Sequence, residues 1–346
     1  MSDRDVLRSA LESNCDRRRV LQAVGAGGLL AGLGGRVTAQ AGEGRGRGND
    51  AGVDVIAKQN QGVVHWSLPG KRRLGQMVFG TPETPRARIK PILDLLPDDS
   101  PVADLIHAVP ILVGLPPKAR ETNSDGTAYT QTAVPTPFSD NVLRVSGRIN
   151  VAYRDRRPYD LPAEYGSSPD TVSLDVAFTD PDGQSYELDV HHTIQPPIPT
   201  WETGGGVITD TWIHGTTGTE SPLLPRTYTY GAFWGICDVI ADGDVVNENM
   251  VIHAMTVQNM RKSNKEIVLQ EEMPLAPDET FSGQSHHTQL IVPPITVGPD
   301  GPVHEAVNTG YELPNGHEQP FIHLTFESDT IVKAPFAGWS FPETEE

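Results

Sequence analysis

The strongest constraint on the fold is an alternation of period two, cut at short intervals by turn residues. Val172-Ser-Leu-Asp-Val-Ala-Phe178 places apolar residues on every second position, Asp180-Pro-Asp-Gly183 supplies a turn, and Tyr186-Glu-Leu-Asp-Val190 answers with the same alternation. Such a pair reads as a β-hairpin with one buried face. Similar runs follow from about Phe138 onward. They are Val142–Val151, Val207–Ile213, Thr227–Trp234, Val251–Gln258, Thr288–Val292 and Phe321–Phe326, separated by Pro or Gly clusters. With 30 Pro and 34 Gly in 346 residues, no run in this part of the chain supports a helix of more than a few turns. The pattern predicts an all-β fold, an antiparallel β-sandwich or jelly-roll-like domain with long loops over 138–346.

The preceding 61–137 is Pro-punctuated. Ile89–Leu96 and Val102–Val109 have the spacing of short helical turns, and the segment is expected to pack on the main domain. Residues 42–60, beginning Gly-Glu-Gly-Arg-Gly-Arg-Gly, read as a flexible linker.

Residues 1–41 read as a targeting segment. Asp16-Arg17-Arg18-Arg19-Val20-Leu21-Gln22 precedes a weakly apolar, Gly- and Ala-rich stretch to Leu33, and Ala39-Gln40-Ala41 supplies a small-residue cleavage pattern. This resembles a twin-arginine (Tat) signal peptide. The resemblance implies the Tat translocase as a partner during export and an extracellular or cell-surface destination, without stable membrane insertion after cleavage. Removing six Arg and four acidic residues would take the formal charge from −18 to −20 and leave Cys237 as the one thiol, in an apolar setting that favours a buried, inert side chain.

Forty-five acidic residues face 27 basic ones, of which seven are Lys and twenty are Arg. This balance excludes a general nucleic-acid binder, which needs clustered cations. Acidity with scarce Lys resembles the exported proteins of salt-loving archaea. In concentrated salt the Debye length falls to ~3 Å, so carboxylates hydrate the surface at little cost in self-repulsion.

Nine of the eleven His lie between His191 and His323. In a β fold, residues far apart in sequence converge, and imidazole is the commonest transition-metal ligand. Parity selects among them. His192 shares a face with Val190 and Leu188, His253 with Val251, Met255 and Val257, and His323 lies opposite Ile322 and Leu324. His286 and His287 open a strand, and His214 ends one before Gly215-Thr216-Thr217-Gly218, a loop suited to an exposed site. The candidate ligands are His192, His214, His253, His286, His287 and His323, with Met255 as a soft ligand, for copper, iron or zinc. The adjacent His pairs resemble those of jelly-roll copper monooxygenases. The chain has no His-x-His, however, so that family's assignments do not transfer. Nucleophile-elbow, zincin, Walker and dinucleotide motifs are absent. As an enzyme the chain would therefore use metal-assisted redox chemistry. The alternatives are a non-catalytic extracellular binding or surface-structural β-sandwich, with the His scattered, and a carbohydrate-active domain using Trp201, Trp212, Trp234, Tyr228 or Tyr230.

Overall fold

In the computed structural model, the described residues are 53–86, 115–156, 169–194, 206–217, 220–262, 264–272, 286–298 and 301–334. The expected signal peptide and its Arg pair, the helical turns at 89–96 and 102–109, and Trp201 lie outside them. In chain order the strands are β1 (Val53–Gln59), β2 (Val63–Ser67), β3 (Arg120–Thr122), β4 (Tyr129–Thr132), β5 (Val142–Asp155), β6 (Thr171–Thr179), β7 (Ser185–Thr193) and β8 (Val207–Ile213). They continue with β9 (Thr227–Ala241), β10 (Asp244–Gln258), β11 (His286–Val292), β12 (Ile295–Gly298), β13 (Gly301–His304), β14 (Ile322–Phe326) and β15 (Thr330–Lys333). A single turn of α-helix, α1 (Gln76–Phe79), lies before β3. No helix among the described residues is long and apolar enough to cross a membrane.

The fold is all-β and antiparallel, as the alternation implies, but the sheet closes. Strands β10-β11-β14-β2-β5-β6-β7-β9 pair in that order, and β9 pairs back onto β10, giving an eight-stranded barrel. The expected sandwich or jelly roll is corrected accordingly. Alternation reports one buried face per strand, and a sandwich and a barrel satisfy it equally. Closure depends on length and bulging. β5, β9 and β10 have 14 or 15 residues, and the β9–β10 register shifts at three places, which bends the strands around the core. Their length also lets the sheet branch: β5 pairs with β2 and then β1 along one edge, and β9 with β8 and then β7.

The hairpin of β6 and β7 forms with Phe178 opposite Tyr186. The β9–β10 hairpin turns on Asp242-Gly243, with φ of 51° and 92°. These are the positive dihedrals of a two-residue turn whose twist matches the strands.

Two expected boundaries shift. Residues 53–59 of the expected linker are strand β1, with Val53, Val55 and Ala57 buried alternately in the core. Within the Pro-rich segment, Val63–Ser67 is a barrel strand, β2. The signals were present but short, at seven and five residues.

The barrel has two faces. Trp66, Phe178, Tyr186, Cys237, Ile252, Leu290 and Leu324 fill the interior. Each large apolar side chain buried there contributes roughly 1.5–3 kcal/mol. The outer face of β9, β10 and β11 carries a second apolar layer. There Trp234, Ile236, Val251, Met255 and Ile291 pack against Leu74, Phe79, Leu115, Phe138, Leu223 and Ile267 from the connecting segments. Arg72 fastens this cover, its buried guanidinium donating to the carbonyls of Leu223, Ile267 and Val268. The candidate site lies between barrel and cover.

Candidate functional site

Strand parity places His253 (β10) and His323 (β14) on the outer, covered face. Both pair with Ile291 of the intervening β11, so their Cα atoms lie two strand spacings apart, about 10 Å. His214 and Glu220 reach the same place from the segment after β8. The four side chains, with Met255 and Gln289, line a small cavity of about 10 Å³, which has room for one water-sized occupant.

The centre of the cluster is the Glu220 carboxylate. Its Oε2 lies 3.2 Å from His253 Nε2 and 3.4 Å from His214 Nε2. The Trp234 indole N–H donates to its Oε1 at 2.8 Å. All three ionisable side chains are at most 1 % exposed.

His253 Nδ1 lies 2.7 Å from the Phe233 carbonyl. That oxygen only accepts, so Nδ1 carries a proton. In a neutral ring the Nε2 lone pair would then face a carboxylate oxygen. The contact is satisfied only by a proton between the two atoms, on Nε2 or on the carboxyl oxygen, or by a cation. The Trp234 ring stacks on His253, with centroids 4.2 Å apart and 16° between planes, which holds the imidazole plane in place.

His323 is held in the same way. Its Nδ1–H donates to the Pro137 carbonyl at 2.8 Å, and Phe138 packs edge-on to its ring, so the ring has a fixed tautomer. Burial lowers its pKa to about 4, the Pro137 bond opposing and the Arg261 and His253 charges adding. At neutral pH its Nε2 carries a lone pair. Burial alone pushes Glu220 up, but His253 and His214 outweigh it and hold the carboxyl at about 2. His214 is lowered by burial, with Glu220 opposing.

The backbone is also unusual here. His214 and Glu220, neither of them Gly, adopt φ of 65° and 62°, and Gly215 follows at 52°. A Cβ on Gly215 would lie 2.3 Å from the Gln270 carbonyl oxygen and 2.5 Å from the Arg226 nitrogen. Positive φ in non-Gly residues costs of order 1–3 kcal/mol each and concentrates at functional sites.

The remaining candidates lie elsewhere. His192 was expected on the buried face, but it is exposed, because a bulge between Val190 and His192 interrupts the alternation. His286 is half-buried and turned away from the cavity, with Nδ1 3.0 Å from Asp329 Oδ1. His287 is fully buried on the outer face, but its Nε2 meets the Gln289 amide at 3.1 Å. His214 was expected to suit an exposed site and is buried instead. Met255 lines the cavity. Cys237 is a buried free thiol pushed up by burial.

One participant and one buried His outside the cavity carry no sequence signal of their own. Glu220 follows no strand period and is one carboxylate among 45 acidic residues. Its one advance signal is Trp234, whose N–H needs an acceptor once the indole is buried. His65 of β2 is buried on the outer face, its Nδ1 3.2 Å from Glu327 Oε1.

Among the described residues no group of three or more His, Cys, Asp or Glu side chains is arranged to hold a metal ion; two imidazoles share Glu220 Oε2. No known protein family, curated protein or solved structure matches the chain.

Proposed function

We propose that this is an exported, salt-adapted β-barrel protein whose Glu220, His214 and His253 hold one transition-metal ion between barrel and cover. The observation that carries the proposal is the Nε2-to-carboxylate approach of His253, its Nδ1 already committed to a backbone carbonyl. Separations of 3.2 and 3.4 Å from Glu220 Oε2 to the two Nε2 atoms are short enough for one ion to bridge carboxylate and imidazole through bonds of ~2.0–2.1 Å, the three side chains gathering about the ion as it binds. The Phe233 carbonyl and the Trp234 indole play the part of outer-shell groups that fix a ligand's tautomer and orientation. Export rests on the Tat-like residues 16–41, and salt adaptation on the acidic, Lys-poor composition. The cavity admits one small occupant, which favours holding an ion over turning over an organic substrate. The test is thermal unfolding of the full chain with and without chelator. Bound metal at 100-fold above its Kd adds about 2.7 kcal/mol, so chelation should lower Tm, whereas Glu220→Gln should abolish that response. A Tm indifferent to chelator and to added zinc or copper would overturn the proposal.

The second reading is a binding or surface-structural β domain without metal. It is favoured by one observation: His65, His191 and His286 each contact their own carboxylate, in Glu327, Asp238 and Asp329. His253 would then be one more imidazolium in a chain poor in Lys.

A further inference from the structure

We infer that the exposed outer face of β1, β5 and β6 binds a linear acidic polysaccharide laid along β5. The inference is independent of the metal reading. β5 buries Ile149, Val151 and Tyr153 in the barrel, so parity turns Arg144, Ser146, Arg148, Asn150, Ala152 and Arg154 outward. The cover hides the outer face of β9–β11 but not this one: Arg144, Ser146, Arg148 and Asn150 are exposed, and Arg154 is half-buried. The three guanidiniums follow one strand, and Arg144 to Arg154 spans about 33 Å. Neighbouring elements add cations. Lys58 of β1 pairs with Asn150, Lys333 of β15 pairs with Ile56 of β1, and Arg156 follows β5. Six basic residues thus gather on one face of a chain in which acids outnumber bases 45 to 27. The outward carboxylates of these strands are Asp54 and Asp175, and both are paired within the face. Asp54 meets Arg156 at 3.2 Å and Lys333 at 3.4 Å, and Asp175 meets Arg148 at 3.0 Å. Lys58, Arg144 and Arg154 have no carboxylate partner among the described residues.

Charge selects an anion, and the line of cations selects an extended one. Guanidinium forks pair two-pronged with carboxylate or sulfate oxygens. Between them Ser146, Asn150 and, across from Ala152, Ser173 offer hydroxyl and amide groups suited to sugar hydroxyls. Other polyanions fit less well. No aromatic side chain points outward from these strands to stack on a base, as single-stranded nucleic acid requires. Ile56 and Val332 are too little apolar surface to enter a bilayer. The formal charge of −18 repels the dense charge of a duplex or an anionic membrane.

Isothermal titration calorimetry of the full chain tests this, at the lowest salt that leaves its circular dichroism unchanged. The probes are polygalacturonate, which is carboxylated, dextran sulfate, and neutral dextran as the control. Wild type should bind at least one of the two polyanions and not dextran, and more weakly as salt rises. The triple variant Arg144→Thr, Arg148→Thr, Arg154→Thr should bind at least tenfold more weakly. A second triple variant, Lys71→Thr, Arg73→Thr, Lys118→Thr, removes three exposed cations from the segments before β3 and should stay within twofold of wild type. Binding of neither polyanion by wild type would overturn the inference, and this arm needs no variant to fold. A loss no greater in the first variant than in the second would also overturn it. So would tighter binding of duplex DNA or of anionic phospholipid vesicles, which would give the face to a different partner.

Discussion

Trp234 holds Glu220 and His253 at once: its indole N–H donates to Glu220 Oε1 at 2.8 Å while its ring stacks 4.2 Å from His253. The two roles are separable. Trp234→Phe keeps an aromatic face and deletes the donor. A hydrogen bond to a buried charge is worth about 1.5–3 kcal/mol, and urea denaturation should show a loss of that size. A loss below about 0.5 kcal/mol would mean that Trp234 merely packs.

Gly215 is the position where backbone shape sets the site. Gly215→Ala forces a Cβ into the Gln270 carbonyl and the Arg226 amide at a φ of 52°. The cost should be about 1–3 kcal/mol, read by denaturation. Because His214 precedes it, metal affinity should fall too. A neutral Gly215→Ala would show that the left-handed turn is not needed.

The fold should weaken in acid well above the usual carboxylate range. Burial, reinforced by nearby positive charge, holds His287 well below the ordinary His value, and His323 sits at about 4. Between those values and about 6.5 the unfolded chain binds protons that the folded chain does not. Stability is therefore full above about pH 6.5 and falls with acid, by up to about 1.4 kcal/mol per pH unit for each ring. Glu220, held at about 2, extends the loss from about pH 4.5 downward. Denaturation midpoints across pH 4–8 check this, and His287→Gln should flatten the slope. A stability flat from pH 8 to 5 would contradict it.

Substitutions at His192 and His286 serve as contrasts. His192 is exposed at a bulge, and His286 pairs with Asp329 away from the cavity. His192→Gln should change stability by less than about 0.5 kcal/mol. Both His192→Gln and His286→Gln should leave metal affinity within twofold of wild type. A large loss from either would move the site.

How much of this was legible beforehand depends on the kind of signal. β6 and the Tyr186–Val190 part of β7 are visible because their alternation is uninterrupted, and parity set His253 with Val251 and Met255 and His323 opposite Ile322 and Leu324 without revealing that the two share the covered outer face. His192 failed because one bulged residue reverses parity and leaves no mark in the sequence. Barrel closure is a property of strand length and register, which alternation does not encode. β1 and β2 were hidden in segments whose Gly and Pro content suggested linker and loop. Glu220 was invisible for a different reason: its role comes from a tertiary approach by a connecting segment, and no period governs such a residue.

Export is tested apart from the fold. Replacing Arg17-Arg18 with Lys-Lys should trap the precursor inside the cell, because the Tat route reads the Arg pair. Unimpaired secretion would contradict the signal assignment.

The central claim is that a metal ion, rather than a proton, supplies the positive charge between Glu220 and His253. Elemental analysis of the untagged protein, purified without chelator, measures this directly. The account predicts about one equivalent of zinc, copper or iron per chain in wild type and less than a tenth in Glu220→Gln. Less than a tenth of an equivalent in wild type, with none taken up on addition, would contradict it and leave His253 as a buried imidazolium.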